Sequence, residues 1–437
     1  MHAVSRIGTS AYQAWRPAGP ASTAGDTGGS GTPDAAASTA ATTPATPAAA
    51  TGRAADTAIP FQHIAPGLQR VLLETQSVGG NAAAVSLTVA AGGVASLSGN
   101  GGVVSGGDGS VQTAYGDGNK VSAGDDSIQM VAGDGNSVSA GDDSIQMVVG
   151  DGNTVIAGND SVQMVKGDSN TVTAGNDSTQ MVAGNGNTVS AGNDSTQTVT
   201  GNGNTVIGGN NSTQTITGDS NKVSAGDDSI QTVKGDSNTV KAGDYSTQTV
   251  TGDGNAVRAG NDSTQTVDGD SNTVSAGNYS TQTVAGDGNT VSAGNDSTQT
   301  VRGKHDTVSA GSHSILAVSG EDDTVSAGGR SILTVSGQDG TVHTGTDSTL
   351  TVSGQDNTVR AGDGSTITVS GRNDKVMANN STIVLVGKES ATIIGTGNRI
   401  VLGDANRVPS ASSAADTPDA SQILTDAGGG SGHHHNA

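Results

Sequence analysis

The chain has no cysteine, one Phe, one Trp and four Tyr in 437 residues, and each shortage excludes a class of protein. Without thiols there is no disulfide framework, no thiolate metal site and no cysteine nucleophile. With so few aromatic side chains and 68 glycines, there is no material for a conventional large core. Basic residues are scarce too. The 19 Lys and Arg stand against 41 Asp and Glu, a formal charge of −22 that opposes binding to nucleic acid or to an anionic membrane. No apolar run approaches the roughly 20 residues of a spanning helix, so no transmembrane segment is expected. The N-terminal stretch also lacks the continuous apolar core of a secretory signal, which leaves export to another route.

What the sequence does contain is a period. From Gly99 to Gly371 a glycine falls every seventeen residues, in a register that Gly184-Asn185-Gly186-Asn187-Thr188-Val189-Ser190-Ala191-Gly192-Asn193-Asp194-Ser195-Thr196-Gln197-Thr198-Val199-Thr200 exemplifies. A unit of that length is too small for a domain and too long for one strand. It reads as one coil of a solenoid, whose burial accumulates along an axis. The expected fold is an all-β solenoid (parallel β-helix) of about 17 coils of 17 residues, two short strands per coil, with disordered termini. By composition, residues 1–58 are an Ala/Thr/Pro/Ser-rich disordered leader, 59–98 an amphipathic cap (Ile64, Leu68, Val71, Leu72 and Leu73 at helical spacing) with degenerate coils, 99–386 the regular array, 387–408 capping coils and 409–437 a disordered tail.

Each coil alternates Asn-Thr-Val-Ser-Ala with Ser-Thr-Gln-Thr-Val, separated by Gly-Asn-Asp and Gly-Asp-Gly turn formers, so it should hold two strands and two turns. Period-two alternation places Val121, Val138, Val155, Val172 and Val189 inward, with Ala123, Ala140, Ala157, Ala174 and Ala191 two residues on. In the second strand it places Val131, Val148, Val165, Val182 and Val199 inward, and with them Ser195 and Gln197. A buried Gln is costly alone, but stacked amides can bond along the axis as a ladder. The Gln column from Gln112 to Gln299 continues as Leu316, Leu333, Leu350 and Ile367, which supports its inward assignment. Asn119, Asn136, Asn153, Asn170 and Asn187 form a second expected ladder that holds a turn closed.

In that register Thr196 and Thr198 stand outside, as do Thr213 and Thr215, Thr247 and Thr249, Thr264 and Thr266, Thr281 and Thr283, and Thr298 and Thr300. The hydroxyls of a pair lie roughly 7 Å apart, coils repeat at about 4.8 Å, and Thr χ1 is stiff, so the grid is preorganised. The runs Ala191-Gly192-Asn193-Asp194-Ser195-Thr196-Gln197-Thr198 and Ala293-Gly294-Asn295-Asp296-Ser297-Thr298-Gln299-Thr300 resemble the Ala-Gly-x-x-Ser-Thr-x-Thr repeat of bacterial ice nucleation proteins. The resemblance implies a Thr-x-Thr face that orders ice-like water, on a secreted or outer-membrane-associated protein whose partner is ice or ordered water. It covers about two thirds of the chain. The departures are a seventeen-residue step where that family has sixteen, a Tyr at the turn in only two coils, at Tyr245 and Tyr279, where that family stacks one in most, and the lack of that family's longer folded N-terminal domain.

Other readings stand beside it. Thr is also a good exposed strand residue with no further role. Ile128, Met130, Ile145, Met147, Val162, Met164 and Met181 occupy the same outward columns and make an apolar strip suited to self-association or to a host surface partner. The glycine-rich, acidic, aromatic-poor composition is similar to that of harpins delivered by type III secretion, which gives the alternative of an exported harpin-like or adhesin-like interaction protein of a host-associated bacterium. The opposite face, at Ser190, Ile207, Lys241, Arg258 and His343, is irregular.

Acidic turns such as Asn193-Asp194, Asp227-Asp228 and Asn261-Asp262 offer oxygen ligands for Ca²⁺, and Gly192-Asn193-Asp194 and Gly260-Asn261-Asp262 resemble calcium-binding nonapeptide toxin repeats, but the step is not nine and no paired glycine follows. No other cofactor is expected. His2, His63, His305, His313 and His343 recur with no Ser and Asp that would make a triad, and uniform coils leave no loops to build the cleft of a β-helix polysaccharide lyase, so an enzyme is not expected. His433, His434 and His435, in a Gly/Ser tail, read as a remnant or an inert end, with loose metal binding as the alternative.

Overall fold

A computed structural model describes residues 85–387 and 391–403 together with the short strands Glu74–Thr75, Ala415–Asp416 and Gln422–Leu424. It is a parallel β-solenoid of about 19 turns, and no helix occurs among the described residues. Each turn gives a strand to a narrow sheet, as Thr188–Ser190 does, and a strand to a broad sheet, as Thr196–Thr200 does. The expected 17 coils run from the pair Val103–Gly106 and Val111–Tyr115 to the pair Asp374–Met377 and Thr382–Val386. The two further turns lie at the ends, Ser86–Val89 with Val94–Ser98 and Ala391–Ile394 with Arg399–Gly403. They fall in the stretches expected as degenerate and capping coils; Ala95 stands in the Gln column of the first, and a step of sixteen from Thr366 to its partner Thr382 comes one coil before the second.

The expected leader, the amphipathic segment around Ile64 to Leu73, and the His433–His435 tract fall outside the described residues. Glu74–Thr75 pairs in parallel with Ala95–Ser96. Within the expected disordered tail, Ala415–Asp416 and Gln422–Leu424 are strands, antiparallel to Arg399–Ile400 and Ala391–Ile393 respectively.

Every coil lies in the same register as the next, Thr196 beside Thr213, Gln197 beside Gln214 and Val199 beside Ile216. Identical residues therefore stack into columns. The core is two side chains thick, Val189 and its column from the narrow sheet against Val199 and its column from the broad one. Of the Ala column, Ala157, Ala174 and Ala191 are buried, while Ala123 and Ala140 are half-buried where the chain leaves the strand for the corner.

The Gln column is buried throughout, and each amide is used twice. Gln129 Nε2 donates to Gln112 Oε1 at 2.9 Å and, across the core, to the Ser139 carbonyl at 2.9 Å. The same pair of bonds recurs at Gln197, to Gln180 Oε1 at 2.9 Å and to the Ile207 carbonyl at 2.8 Å. An amide satisfied on both sides removes the penalty of burying it, and here it also ties the two sheets together. The Asn column works differently from the expectation. Asn136 Oδ1 accepts from the Asn119 N–H of the preceding coil at 2.7 Å, so the ladder joins coils to each other more than it closes its own turn.

Turn backbones are satisfied in the same way. Gly118 N–H donates to the Asp134 carbonyl at 2.9 Å, and Asp134 N–H to Asp117 Oδ1 at 2.9 Å. With both turns and both strands bonded to the next coil, successive coils are held in strict register and the outer face of each sheet is regular. That regularity is what positions the candidate surface.

Candidate functional site: the outward face of the broad sheet

Because Gln197 and Val199 point in, their strand neighbours Thr196, Thr198 and Thr200 must point out, and all three are exposed. Of the twelve threonines expected to form the grid, Thr196, Thr198, Thr213, Thr215, Thr247, Thr249, Thr264, Thr266, Thr281 and Thr283 are exposed, while Thr298 and Thr300 are half-buried. The register pairs Thr247 with Thr264 and Thr264 with Thr281, and Thr249 with Thr266 and Thr266 with Thr283. The hydroxyl rows are therefore continuous from Thr247 and Thr249 to Thr281 and Thr283.

The grid has a gap that the grouping by pairs does not bring out. Between Thr213 and Thr247 the first column holds Ile230, which is 52% exposed, so the threonines form a block of two coils and a block of four. Further members also went unnoticed. Thr349 with Thr351 and Thr366 with Thr368 repeat the motif near the C-terminal end, and Thr200, Thr217 and Thr251 add a third column beside it. On the narrow sheet Thr290, Thr307, Thr324, Thr341 and Thr358 stack in single file. That column was readable from the repeated Thr-Val-Ser. Ser292, Ser309 and Ser326 stack beside its first three members but are half-buried, and Ser292 and Ser309 give their hydroxyls to the Val274 and Val291 carbonyls at 3.5 Å, so the sheet presents one exposed line of hydroxyls, not a lattice. Its outward neighbours vary as expected, with Ile207, Lys241, Arg258 and His343 exposed and Ser190 half-buried.

Toward the N-terminal end the same two columns hold Ile128 and Met130, Ile145 and Met147, then Val162 and Met164 and finally Thr179 and Met181. These side chains are half-buried, each shielded by its own column. Val149 and Tyr115 in the adjoining column are exposed.

The acidic turns hold themselves together through backbone N–H groups. Asp125 Oδ1 accepts from the Asp142 N–H at 2.9 Å, and Asn176 Oδ1 from the Asn193 N–H at 2.8 Å. Among the described residues no three His, Cys, Asp or Glu side chains converge in a way that could hold a metal ion. The Asp143 carboxyl lies above its ordinary value, from desolvation first and then from Asp160, Asp126, Asp142 and Asp125.

One change inside the Asn ladder is chemical. Asp306 and Asp323 replace Asn there, both are buried, and Asp306 N–H donates to Asp323 Oδ1 at 2.9 Å. Desolvation pushes the Asp306 carboxyl up to about 6, with Asp323 and Asp287 adding to the rise. Asp323 is raised as well, again chiefly by desolvation.

Compared with known proteins, the chain matches no family model, no curated protein and no solved structure.

Proposed function

We propose that this is a non-enzymatic, exported or surface-displayed repeat protein whose Thr-x-Thr face orders ice-like water, as the resemblance to the ice nucleation repeat implies. The observation that carries the reading is the exposed, in-register stack Thr247, Thr249, Thr264, Thr266, Thr281 and Thr283 on one regular sheet. Each Thr offers a methyl and a hydroxyl with one stiff torsion. Spacings of about 4.8 Å along the rod and 7 Å across it are fixed by the sheet itself. Water that settles on such a lattice pays little for ordering the protein, because the side chains are already placed.

Droplet freezing tests this directly. The purified chain should raise the freezing temperature of supercooled droplets or shape ice crystals, and changing Thr196, Thr213, Thr247 and Thr264 together to Lys should abolish the effect. An intact chain that leaves both freezing and crystal shape unchanged rejects the reading.

A second reading, a harpin-like or adhesin-like interaction protein of a host-associated bacterium, is favoured by one observation. The Ile and Met strip displaces Thr over four consecutive coils of the same face, and apolar side chains gathered on an open sheet mark a contact surface.

A further inference from the structure

We infer that the Ile and Met strip is the floor of a docking site for a cationic amphipathic helix, framed on both sides by rows of carboxylates. The inference deepens the interaction reading, resting on its premise that the strip is a contact surface, and is independent of water ordering.

The floor spans the coils of Ile128, Ile145, Val162 and Thr179 in its first column and Met130, Met147, Met164 and Met181 in its middle one. On one side run Asp117, Asp134, Asp151 and Asp168, all exposed. On the other run Asp125, Asp126, Asp142, Asp143, Asp160 and Asp177, also exposed. The floor and its edge columns carry one charge, Lys166.

Doubled carboxylates go with Ile in the first column. Where the turn entering the broad sheet carries two carboxylates, as Asp125-Asp126, Asp142-Asp143 and Asp227-Asp228 do, the residue two positions on is Ile128, Ile145 and Ile230. Where Thr196, Thr213 or Thr264 stands in that column, the turn is Asn193-Asp194, Asn210-Asn211 or Asn261-Asp262. The fold does not require this pairing, because Asp126 at φ 56 and Asn211 at φ 54 hold the same backbone. Nor does the inter-coil bond, since Asn193 Oδ1 accepts from the Asn210 N–H at 2.8 Å just as Asp125 Oδ1 accepts from the Asp142 N–H at 2.9 Å. The doubled charge therefore accompanies Ile in the first column, while the coils of Val162 and Thr179 keep one carboxylate each, at Asp160 and Asp177.

The dimensions select the occupant. Four coils give a floor of about 20 Å along the axis, and a five-residue strand spans about 14 Å across it. A helix about 10 Å wide fits between the rows, and about 14 of its residues cover the length. Its pitch of about 5.4 Å keeps near step with carboxylates repeating at about 4.8 Å, so each turn can send a Lys or Arg to either side. Those side chains lay their methylenes on the rim of the floor and their charges on the rows. Met is unbranched and adapts to an irregular apolar ridge. A second copy would set carboxylate rows against carboxylate rows, and an anionic lipid surface would be repelled.

The test uses the full-length chain and a labelled synthetic helix of about 16 residues, with Leu and Phe on one face and Lys and Arg on both flanks. Fluorescence anisotropy at about 50 mM salt should give a Kd on the order of 1–10 μM. Ile145→Lys with Met147→Lys should weaken it at least about tenfold, and so should Asp126→Asn, Asp134→Asn, Asp143→Asn and Asp151→Asn combined, which keep every acceptor oxygen. Asp236→Asn, Asp253→Asn and Asp270→Asn, the same change beside the Thr grid, should leave binding as it was. The inference is overturned by a scrambled peptide of equal composition binding as tightly, or by the control set weakening binding as much as the set beside the floor. A dimer in sedimentation that Met147→Lys dissolves also overturns it, while leaving the interaction reading in place. If the strip variants alter neither peptide binding nor sedimentation, both fall.

Discussion

The side-chain carbonyl of Gln299 lacks a hydrogen-bond donor, and the residue stacked on it in the next coil is Leu316. All other members of the amide ladder from Gln112 onward pass their carbonyl to the next Gln, as Gln282 does to Gln299 at 2.7 Å. The ladder thus has one open end, and its cost depends on where it is placed.

Gln197→Leu should therefore be destabilising by about 2–3 kcal/mol, because it orphans Gln180 Oε1, takes one acceptor from Gln214 and leaves the Ile207 carbonyl with only the Ala191 N–H as donor. Leu316→Gln should change stability by less than about 1 kcal/mol, since it satisfies Gln299 and merely moves the open end one coil on. Urea unfolding followed by circular dichroism checks both. Equal costs for the two variants would mean that the ladder is not the unit of satisfaction.

On the Thr grid, Thr198→Val, Thr215→Val and Thr249→Val together keep the shape of each side chain and delete its hydroxyl. Being exposed, these changes should leave stability within about 0.5 kcal/mol. Droplet freezing should shift back toward that of buffer. The same change at Thr290, Thr307 and Thr324 on the narrow sheet should have no effect on freezing, because the neighbouring Ser292 and Ser309 are half-buried with their hydroxyls turned to backbone carbonyls and a single exposed column offers no lattice.

Stability should depend on pH through Asp306. Its carboxyl is raised in the folded chain to about 6 from an ordinary 3.8, so the fold binds this proton more tightly than the unfolded chain does. The resulting stability is fully present below about pH 4 and is lost as pH rises through about 6. Asp323, raised in the same direction, adds to the trend. Asp306→Asn restores the amide found at Asn289 in the same column, and should flatten the dependence between about pH 4 and 7 while stabilising the chain above pH 6 by on the order of 2 kcal/mol. Thermal unfolding across that range measures it. An unchanged slope in the Asn variant would assign the effect to other groups.

Gly184 and Gly186 should respond oppositely to substitution. At Gly184, with φ 145, a Cβ would run into the backbone carbonyl of Gly167 in the neighbouring coil, so Gly184→Ala should cost at least about 2 kcal/mol. At Gly186, with φ 63, the nearest atom to a Cβ is Ser169 Oγ at 3.8 Å, and Ser169 itself holds that conformation at φ 58. Gly186→Asn should be tolerated within about 0.5 kcal/mol.

That contrast explains why the period was legible. The close approach at Gly184 recurs at every coil and admits no side chain, so glycine marks the repeat without a slip. The direction of Gln197 and Thr196 followed from strict alternation, with Leu316 and Ile367 revealing which side was dry. What the sequence hid were features set by adjacency between coils. The terminal turns read only as degenerate and capping coils because Ala95 and the sixteen-residue step after Thr366 break the columns that define a coil. The break at Ile230, and the company Asp125 and Asp126 keep with Ile128, become visible only when positions seventeen apart are laid side by side. Asp306 reads as one more acidic residue until its column is seen to be buried amides.

The identity of register from one level to the next makes the molecule modular. If residues 201–217 were excised, Gln231 would meet Gln197 and Lys222 would meet Thr188 as it now meets Thr205, shortening the rod by about 4.8 Å. Contour length, and with it the size of any ordered patch, can thus be altered in whole increments by duplication or loss of a fifty-one-base segment, with no new folding problem to solve.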